Sequence, residues 1–461
     1  MNLLDTISAI STPTGEGGIA VVRISGDDAF TIVEKIFFKD KNKKRVFNIS
    51  IEDSHTIHFG YIFDKGAIID EVLISIFKNP NSYTGEDVIE ISSHGGTFIA
   101  QKILALTLAA GIRHSYPGEF TKRAFLNGKI DLSQAEAVAD LIRSKTDDAH
   151  SSSIKQLEGS LSEFVRKTRQ DIINITSLVE LELDFAEEGL EFVKKAEIKS
   201  MIEKLNLKLE NIISSYITGK VIREGVNLVI AGKPNSGKSS LFNYLLKTNR
   251  SIVSNIAGTT RDYIEESIII NGILFNLVDT AGLRHSEEEI ESEGIRRSHK
   301  KIDEADLIIY LIDSSSEETE LQYNLKYFNN NFDRNKSLLV YSKSDLAVFN
   351  NDNNEKKDLM ISLIKDESIE KLKTIMVEKI SLSKVKLLSD EIMLTNLRHK
   401  ICLEKVVSSL NNAVHTIEEG MSGEFISVDL RNALKYLGEI TGEVTNDEIL
   451  NNIFRNFCIG K

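Results

Sequence analysis

The stretch that decides the fold is Val226–Leu246, "VNLVIAGKPNSGKSSLFNYLL". It passes from an apolar strand, through a glycine-bounded loop, into a helix of periodic apolar residues. Within it Gly232-Lys-Pro-Asn-Ser-Gly237-Lys238-Ser239 has phosphate-loop spacing, and the strand before and the helix after are the context that spacing needs. Backbone N–H groups of such a loop turn inward onto phosphate oxygens, and the helix N-terminus adds positive potential. Lys238 is expected to bridge the β- and γ-phosphates and Ser239 to place its hydroxyl on Mg²⁺. Asn235, Ser236, Gly237 and Ser240 complete the predicted cradle.

Reading toward the C-terminus, further stretches fall in the order of a Ras-like GTPase domain. "NIAGTTRD" offers Thr259 and Thr260, one of which closes on Mg²⁺ and the γ-phosphate; Thr260 is the predicted Mg²⁺ ligand. Ser254, Asn255, Ile256, Ala257 and Gly258 lie beside them as nucleotide-binding candidates. "DTAG" ends a strand, so Asp279 reaches Mg²⁺ through water and the Gly282 amide faces the γ-phosphate, with Thr280 and Ala281 between. "SKSD" ends another strand. Asp345 can accept from N1–H and the exocyclic amine of guanine, an arrangement adenine does not offer, so GTP is selected over ATP. Lys343 lies in the same motif. Ser362-Leu363 in "MISLIKD" sits where a backbone amide would meet guanine O6.

Two positions depart from the usual pattern. Ser342 stands where such motifs carry Asn, and its shorter side chain loses one hydrogen-bonding arm, which predicts weaker guanine-nucleotide binding. Leu283 follows "DTAG", where Ras-type enzymes carry a water-orienting Gln. Leucine orients no water, so hydrolysis needs another polar group and another positive charge.

Composition bounds the rest. At 461 residues the chain is long enough for about three domains. An apolar fraction of 41% supports real cores. No apolar run is long enough to span a membrane, and "MNLLDTISAI" lacks the basic flank and cleavage site of a secretory leader. Two cysteines make neither a disulfide framework nor a cysteine-rich metal site, which fits a reducing cytoplasm. A net charge of −13 argues against coating nucleic acid by electrostatics alone, so a nucleic-acid substrate needs a local basic patch or a partner. "KDKNKKR" (Lys39–Arg45) reads as a solvated loop.

Texture divides the chain. Residues 1–125 alternate short apolar runs with turns: "GIAVVRIS", "EVLISIF" and "DVIEIS" read as strands, and "GGTFIAQKILALTLAAG" as a helix closed by Gly111. This is an α+β domain. Residues 126–222 read as helical. Asp131 and Gln134 have capping-box spacing, and Ile154, Leu157, Leu161, Phe164, Val165, Ile172, Ile175 and Val179 recur at helical intervals. Residues 223–383 alternate strands and helices around a largely parallel sheet, with Asn271-Gly272 as a hairpin turn. Residues 384–461 return to helices. The economical arrangement is an α/β domain inserted into a helical domain. In "LRHKICLEK", Cys402 reads as a core residue.

These blocks together resemble the MnmE (TrmE) family of tRNA-modifying GTPases over the whole chain. The resemblance rests on "DTISAISTPTGEGGIAVVRISG", "NPNSYTGEDVIEISSHGG", "PGEFTKRAFLNGKIDLSQAEAVADLI", "GKPNSGKSSLFN", "IAGTTRD", "DTAGLR" followed by "IESEGIRRS", and the terminal "FCIGK". Many GTPases share the phosphate loop; the N-terminal blocks and the tail are far more specific. The resemblance implies a tetrahydrofolate-binding N-terminal domain that dimerises, a discontinuous helical domain and an inserted Ras-like G domain. It implies a cytoplasmic GTP hydrolase working with the flavoprotein MnmG (GidA) in a heterotetramer. The pair places an aminomethyl or carboxymethylaminomethyl group on C5 of the wobble uridine of certain tRNAs. The one-carbon unit comes from 5-formyl- or 5,10-methylene-tetrahydrofolate, and FAD enters through the partner.

The resemblance also answers the Leu283 problem. It implies hydrolysis on K⁺-dependent dimerisation of G domains, with K⁺ supplying transition-state charge. The K⁺ ligands carried over are the Asn235 side chain, the Ser254 and Ile256 carbonyls and Thr259. Glu291 matches the water-orienting catalytic Glu, beside Lys238; sequence alone leaves it one carboxylate in the charge run "SEEEIESEG". In the first domain it makes Glu90 the acceptor for the 2-amino and N3–H edge of a pterin, with Arg23, Lys129 and Lys461 as further folate contacts. Strand charges such as Arg23 and Glu90 otherwise need pairing or solvent. A prenylation box has the outline of the tail, but Gly460 stands where an aliphatic residue belongs and Lys461 is last. The resemblance instead sets the tail beside the folate pocket, with Cys458 a candidate for a thiol role. A ribosome-assembly GTPase switch is the alternative; such switches usually carry a basic RNA-binding appendage.

Overall fold

The computed structural model describes residues 5–42, 47–184, 195–249, 265–278, 302–347, 359–380, 392–445, 447–455 and 457–461. The first sheet holds β1 (Ile7–Ile10), β2 (Ile19–Ser25), β3 (Phe37–Phe38), β4 (Thr56–Asp64), β5 (Ala67–Phe77), β6 (Val88–His94) and β7 (Arg113–His114). Its order is β3-β4-β5-β6-β2-β1-β7, antiparallel except where β7 runs parallel to β1. Side chains alternate across a strand. Thus Val22, Ile24, Ile74, Ile76, Ile89 and Ile91 form a buried core with helices α1 (Ala29–Ile36) and α2 (Thr97–Ala109). The opposite face carries Ile19, Val21, Arg23, Glu90 and Ser92, and register sets Arg23 directly across from Glu90.

Helix α3 (Glu119–Leu126) is tied beneath this sheet by one buried cation. Arg123 is 2% exposed, yet its guanidinium donates to the Asp5 carbonyl and carboxylate, both at 2.7 Å, to Glu86 at 3.1 Å and to Glu119 at 3.2 Å. A buried charge persists only when paired and hydrogen-bonded in this way.

Helices follow: α4 (Leu132–Arg143), α5 (Asp147–Leu157), α6 (Ser160–Asp184), α7 (Lys195–Ser214) and α8 (Tyr216–Glu224). Asp131 and Gln134 form the full capping box expected from their spacing, a device worth about 1 kcal/mol. The apolar register holds in α6, where Leu161, Val165, Ile172, Ile175 and Val179 are buried. It differs in α5: Ile154 and Leu157 are only partly buried, and Ser153 and Gln156 face inward instead. The reason is polar. Gln156 donates to the Ser133 carbonyl at 2.8 Å and Ser153 back-bonds to Ala149, so α5 docks on α4 through hydrogen bonds.

The second sheet follows: β8 (Val226–Gly232), β9 (Glu265–Ile270), β10 (Ile273–Val278), β11 (Leu307–Asp313), β12 (Ser337–Ser342) and β13 (Leu359–Met360), in the order β13-β12-β11-β8-β10-β9. All pairings are parallel except β9 with β10, joined by Asn271 (φ 49°) and Gly272 (φ 83°). That is the hairpin the Asn-Gly pair predicts. Helices α9 (Lys238–Asn249), α10 (Glu318–Asn331) and α11 (Asp366–Lys379) flank the sheet. Alternate residues of β8 feed two cores, Leu228 and Ile230 packing with Leu241, Leu245 and Met376, and Val229 and Ala231 with Tyr310 and Phe328.

Helices α12 (Leu397–Glu418), α13 (Gly423–Thr441) and α14 (Asp447–Arg455) close the chain. One core joins α6 and α7 to α12 and α13: Ile172, Ile175, Ile202 and Leu205 pack with Leu403, Val406, Leu410, Leu430 and Leu437. The α/β unit is therefore inserted into a helical domain made from both sides of it. At the junction, Gly219 of α8 lies so close to the returning chain that an added Cβ would stand 2.0 Å from the Leu394 carbonyl. Leu394 N–H donates to Ser215 Oγ at 3.0 Å. Nearby, Arg398 clamps Glu136 at 2.9 and 2.7 Å, and buried His399 meets the same carboxylate at 2.7 Å. Burial is the largest single influence on Glu136 and pushes its pKa up, but the His399 and Arg398 charges outweigh it and leave the value at about 2.

Candidate functional site

Two sites are built from these elements. The first lies at the C-terminal end of β8, between strands whose connections run to opposite sides, where doubly wound sheets bind ligands. The loop leaving β8 bends through Asn235 (φ 64°) and Gly237 (φ 92°) into the first turn of α9. Lys238 starts that helix, and its ammonium donates back to the carbonyls of Gly232 at 2.9 Å and Lys233 at 2.6 Å. The cation is thus held over the mouth of its own loop, where phosphate oxygens would be received. Asn235, Ser239 and Ser240 are exposed on the rim.

The base-recognition side comes from β12 and the turn after β13. Ser362 Oγ donates to Asp345 Oδ1 at 2.6 Å and, as the main influence, holds that carboxyl below the usual range. Asp345 is thereby oriented and ionised, as an acceptor for a guanine edge must be. The Ser362 N–H donates to Ser368 Oγ at 3.0 Å. Ser342 is buried. Its hydroxyl donates to the Ser236 carbonyl of the phosphate loop at 2.7 Å and lies 3.2 Å from the Ile312 carbonyl. Sequence reading saw only the lost arm at this position; the arm that remains ties the base motif to the phosphate loop. Lys343 (φ 54°) pairs with Asp313 at the end of β11.

Ser254, Asn255, Ile256, Ala257, Gly258, Thr259, Thr260, Asp279, Thr280, Ala281, Gly282, Leu283 and Glu291 lie outside the described residues. Among the described residues, no group of three or more His, Cys, Asp or Glu could hold a metal ion.

The second site lies on the outer face of the first sheet. Arg23 Nε donates to Glu90 Oε1 at 2.8 Å and Nη2 lies 2.7 Å from the same oxygen. The guanidinium stands 5.3 Å from the Tyr83 ring centre and 5.7 Å from that of Phe120. Tyr83 is anchored by Thr121 Oγ1 at 2.8 Å. The last residues of the chain come to this cluster. Phe457 packs on Phe454 (5.3 Å between rings) and shares a small core with Leu132, Ala135 and Leu450. The Cys458 carbonyl accepts from the Gly118 N–H at 3.3 Å, and the Gly460 carbonyl accepts from Ser11 Oγ at 3.0 Å and from Arg23 Nη1 at 3.4 Å. Lys461 is half-buried. Burial, then the neighbouring Arg23 charge, pushes its ammonium below the ordinary lysine range, while Glu90 pulls it back up.

So Arg23, Glu90, Lys461 and the tail come together. Lys129 is not drawn in: it is exposed, and its ammonium donates to the Pro80 carbonyl at 3.0 Å. Cys458 is exposed and Cys402 is buried, the latter as read from the sequence. Sequence reading missed Ser11, Tyr83 and Phe120; "FCIGK" was the one signal that something receives the tail.

Comparison with known proteins follows this geometry. Residues 6–129 match the model described as the GTP-binding protein TrmE N-terminus, and residues 132–458 match the MnmE helical domain. The chain is 42% identical over 468 residues to the tRNA modification GTPase MnmE of Flavobacterium johnsoniae, covering 99% of each. It is 41% identical over 460 residues to that of Streptococcus thermophilus, covering 99% of this chain and 98% of the other. Among solved structures, the G domain of the T. maritima FeoB iron transporter is 30% identical across 33% of this chain and 98% of that one, at a TM-score of 0.25.

Proposed function

The chain belongs to the MnmE family of tRNA modification GTPases, and from that premise we propose how its two sites divide the work. It is a GTP-hydrolysing enzyme acting in tRNA modification. In the finer reading, it works with MnmG (GidA), which brings FAD, to install an aminomethyl or carboxymethylaminomethyl group on C5 of the wobble uridine. The one-carbon unit comes from a tetrahydrofolate. The domain limits proposed are 1–125, 126–222, 223–383 and 384–461.

At the nucleotide site, Lys238 moves from the Gly232 and Lys233 carbonyls to β/γ-phosphate oxygens, and Asp345, aligned by Ser362, reads guanine. Ser239 and Thr260 would hold Mg²⁺. Asn235 on the loop rim, with Ser254, Ile256 and Thr259, would hold K⁺ when two G domains meet; ions bound there would supply positive charge for phosphoryl transfer. Glu291 orients the attacking water in place of the side chain that Leu283 lacks.

At the sheet site, Glu90 accepts the pterin edge while Arg23 and Lys461 take the remaining polar atoms, and Lys129 joins them only by leaving the Pro80 carbonyl. The residues fit such a ligand: a carboxylate, two cations and the Tyr83 ring converge on one half-buried surface, with buried Phe120 behind the guanidinium. Arg23 engages only Oε1 of Glu90, so Oε2 is the oxygen offered first. The homodimer through this domain is supported by exposed apolar side chains on the first sheet, Ile19 at 66%, Ile57 at 65% and Phe59 at 51%.

The observation that carries the reading is the match along nearly the whole chain to MnmE relatives, together with the arrival of the terminal residues at Arg23–Glu90. Mass spectrometry of tRNA nucleosides from cells lacking this protein tests it. Loss of the C5-modified wobble uridine is expected. Normal modification with misassembled ribosomes would overturn it in favour of a ribosome-assembly switch.

A further inference from the structure

Among the described residues after Arg455 the tail has no helix or strand of its own, so its course is set by what grips it. Phe457 is buried in a small aromatic core, whereas Cys458 and Ile459 are exposed. The chain then turns back, and Gly460 is buried. Two features make that second grip specific. Gly460 has φ 92°, and an added Cβ would stand 2.3 Å from the Ile10 carbonyl and 2.9 Å from Ser11 Cα, so only glycine lets the backbone approach this closely. Its carbonyl then meets the Ser11 hydroxyl at 3.0 Å and the weaker Arg23 contact at 3.4 Å. Ser11 is fixed for this role by its own N–H, which donates to the Val21 carbonyl at 2.8 Å. Val21 lies on the same strand face as Arg23, so the hydroxyl, the guanidinium and Glu90 belong to one rigid sheet surface.

We infer that Ser11 is a positioning residue for the sheet site: with Arg23 it latches the Gly460 carbonyl and so holds Lys461 beside Glu90. This rests on reading Arg23–Glu90 as the folate site, although the latch itself exists without any ligand. Arg23 is shared between Glu90 and the tail. A ligand edge that reaches Glu90 Oε1 as well as Oε2 competes with Arg23 Nε and Nη2 for that oxygen; those N–H groups then turn to the ligand while Nη1 tightens on Gly460, so filling the pocket and closing the tail reinforce each other.

The test uses the full chain with a nitroxide on exposed Cys458; Cys402 is buried and stays unlabelled. The spin-label spectrum separates mobile from immobile tail. Ser11→Ala is expected to raise the mobile-to-immobile ratio about five-fold, the loss of one ordinary hydrogen bond. Ser11→Thr, which keeps the hydroxyl, should restore the wild-type ratio, a rescue that a generally loosened domain would not give. Gly460→Ala breaks the same latch from the tail side, by a backbone clash as well as the lost bond, and should give at least the same rise. An unchanged ratio in both Ser11→Ala and Gly460→Ala overturns the latch. Adding 5-formyltetrahydrofolate should lower the wild-type ratio. If the variants behave as expected but the folate has no effect, the latch stands and the folate reading of the site falls.

Discussion

Ser342 is the sharpest place to perturb the nucleotide site. Its one hydroxyl proton is committed to the Ser236 carbonyl at 2.7 Å, with the Ile312 carbonyl at 3.2 Å as a weaker second acceptor. Nothing is left to donate to a base. An asparagine there brings two amide hydrogens and a carbonyl oxygen, so it can keep the clamp on Ser236 and still present a group to guanine. There is room on the loop side: a Cβ built on Gly237 would stand 3.8 Å from both Cβ and Oγ of Ser342. One added neutral hydrogen bond is worth about 1 kcal/mol net, or roughly five-fold in affinity. Ser342→Asn should therefore bind GDP about five-fold tighter, mostly through slower release. Ser342→Ala removes the clamp and leaves a buried carbonyl short of a donor, so it should bind roughly five-fold more weakly and melt earlier. Displacement of a fluorescent GDP analogue, followed at equilibrium and by stopped flow, reads both. An asparagine variant that melts like the wild type yet binds GDP no tighter would refute the reasoning.

Three further outcomes are expected. Glu291→Ala should slow GTP hydrolysis in KCl while GTP binding is kept; an unchanged single-turnover rate removes Glu291 from the mechanism. Glu90→Gln should weaken binding of 5-formyltetrahydrofolate by roughly ten-fold, the loss of a charged hydrogen bond, with GTPase activity retained; equal affinity by calorimetry removes the pterin role. Glu136→Gln should destabilise the helical domain by about 3 kcal/mol, because Arg398 loses its buried counter-charge and His399 its carboxylate partner. The same group sets an acid limit. Its folded pKa of about 2 lies below its ordinary 4.5, so its stabilisation is complete above pH 4.5 and is lost as pH falls toward 2. Denaturation midpoints for wild type and variant should therefore converge across that window.

What the sequence discloses here is whatever is local. The phosphate loop, the Asn271-Gly272 hairpin and the Asp131 capping box each put cause and effect within a few residues, and each is found in place. The pairing of Arg23 with Glu90 could be half-read: alternation placed each on a strand face, but only sheet register brings residues 67 apart into contact. Three things were beyond reach. The Ser342–Ser236 bond joins a strand end to the phosphate loop through one hydroxyl. The inward turn of Gln156 rather than Leu157 depends on a carbonyl of another helix. The landing of Gly460 on Ser11 spans 449 residues, and no periodicity encodes it.

The contact of Gly219 with Leu394, and the bond from Leu394 to Ser215, have a mechanical meaning. They pin helix α8, which leads toward the inserted domain, to the Leu394 segment, which follows that domain, on the helical body. A domain hung on one connector swivels freely; one hung on two adjacent connectors resists twisting and bends mainly like a door on paired pins. At this root the two chain segments therefore move together rather than independently. The same adjacency makes the domain removable: a short Gly-Ser bridge between residues near 219 and 394 would close the gap and leave the helical core, built from both sides, continuous.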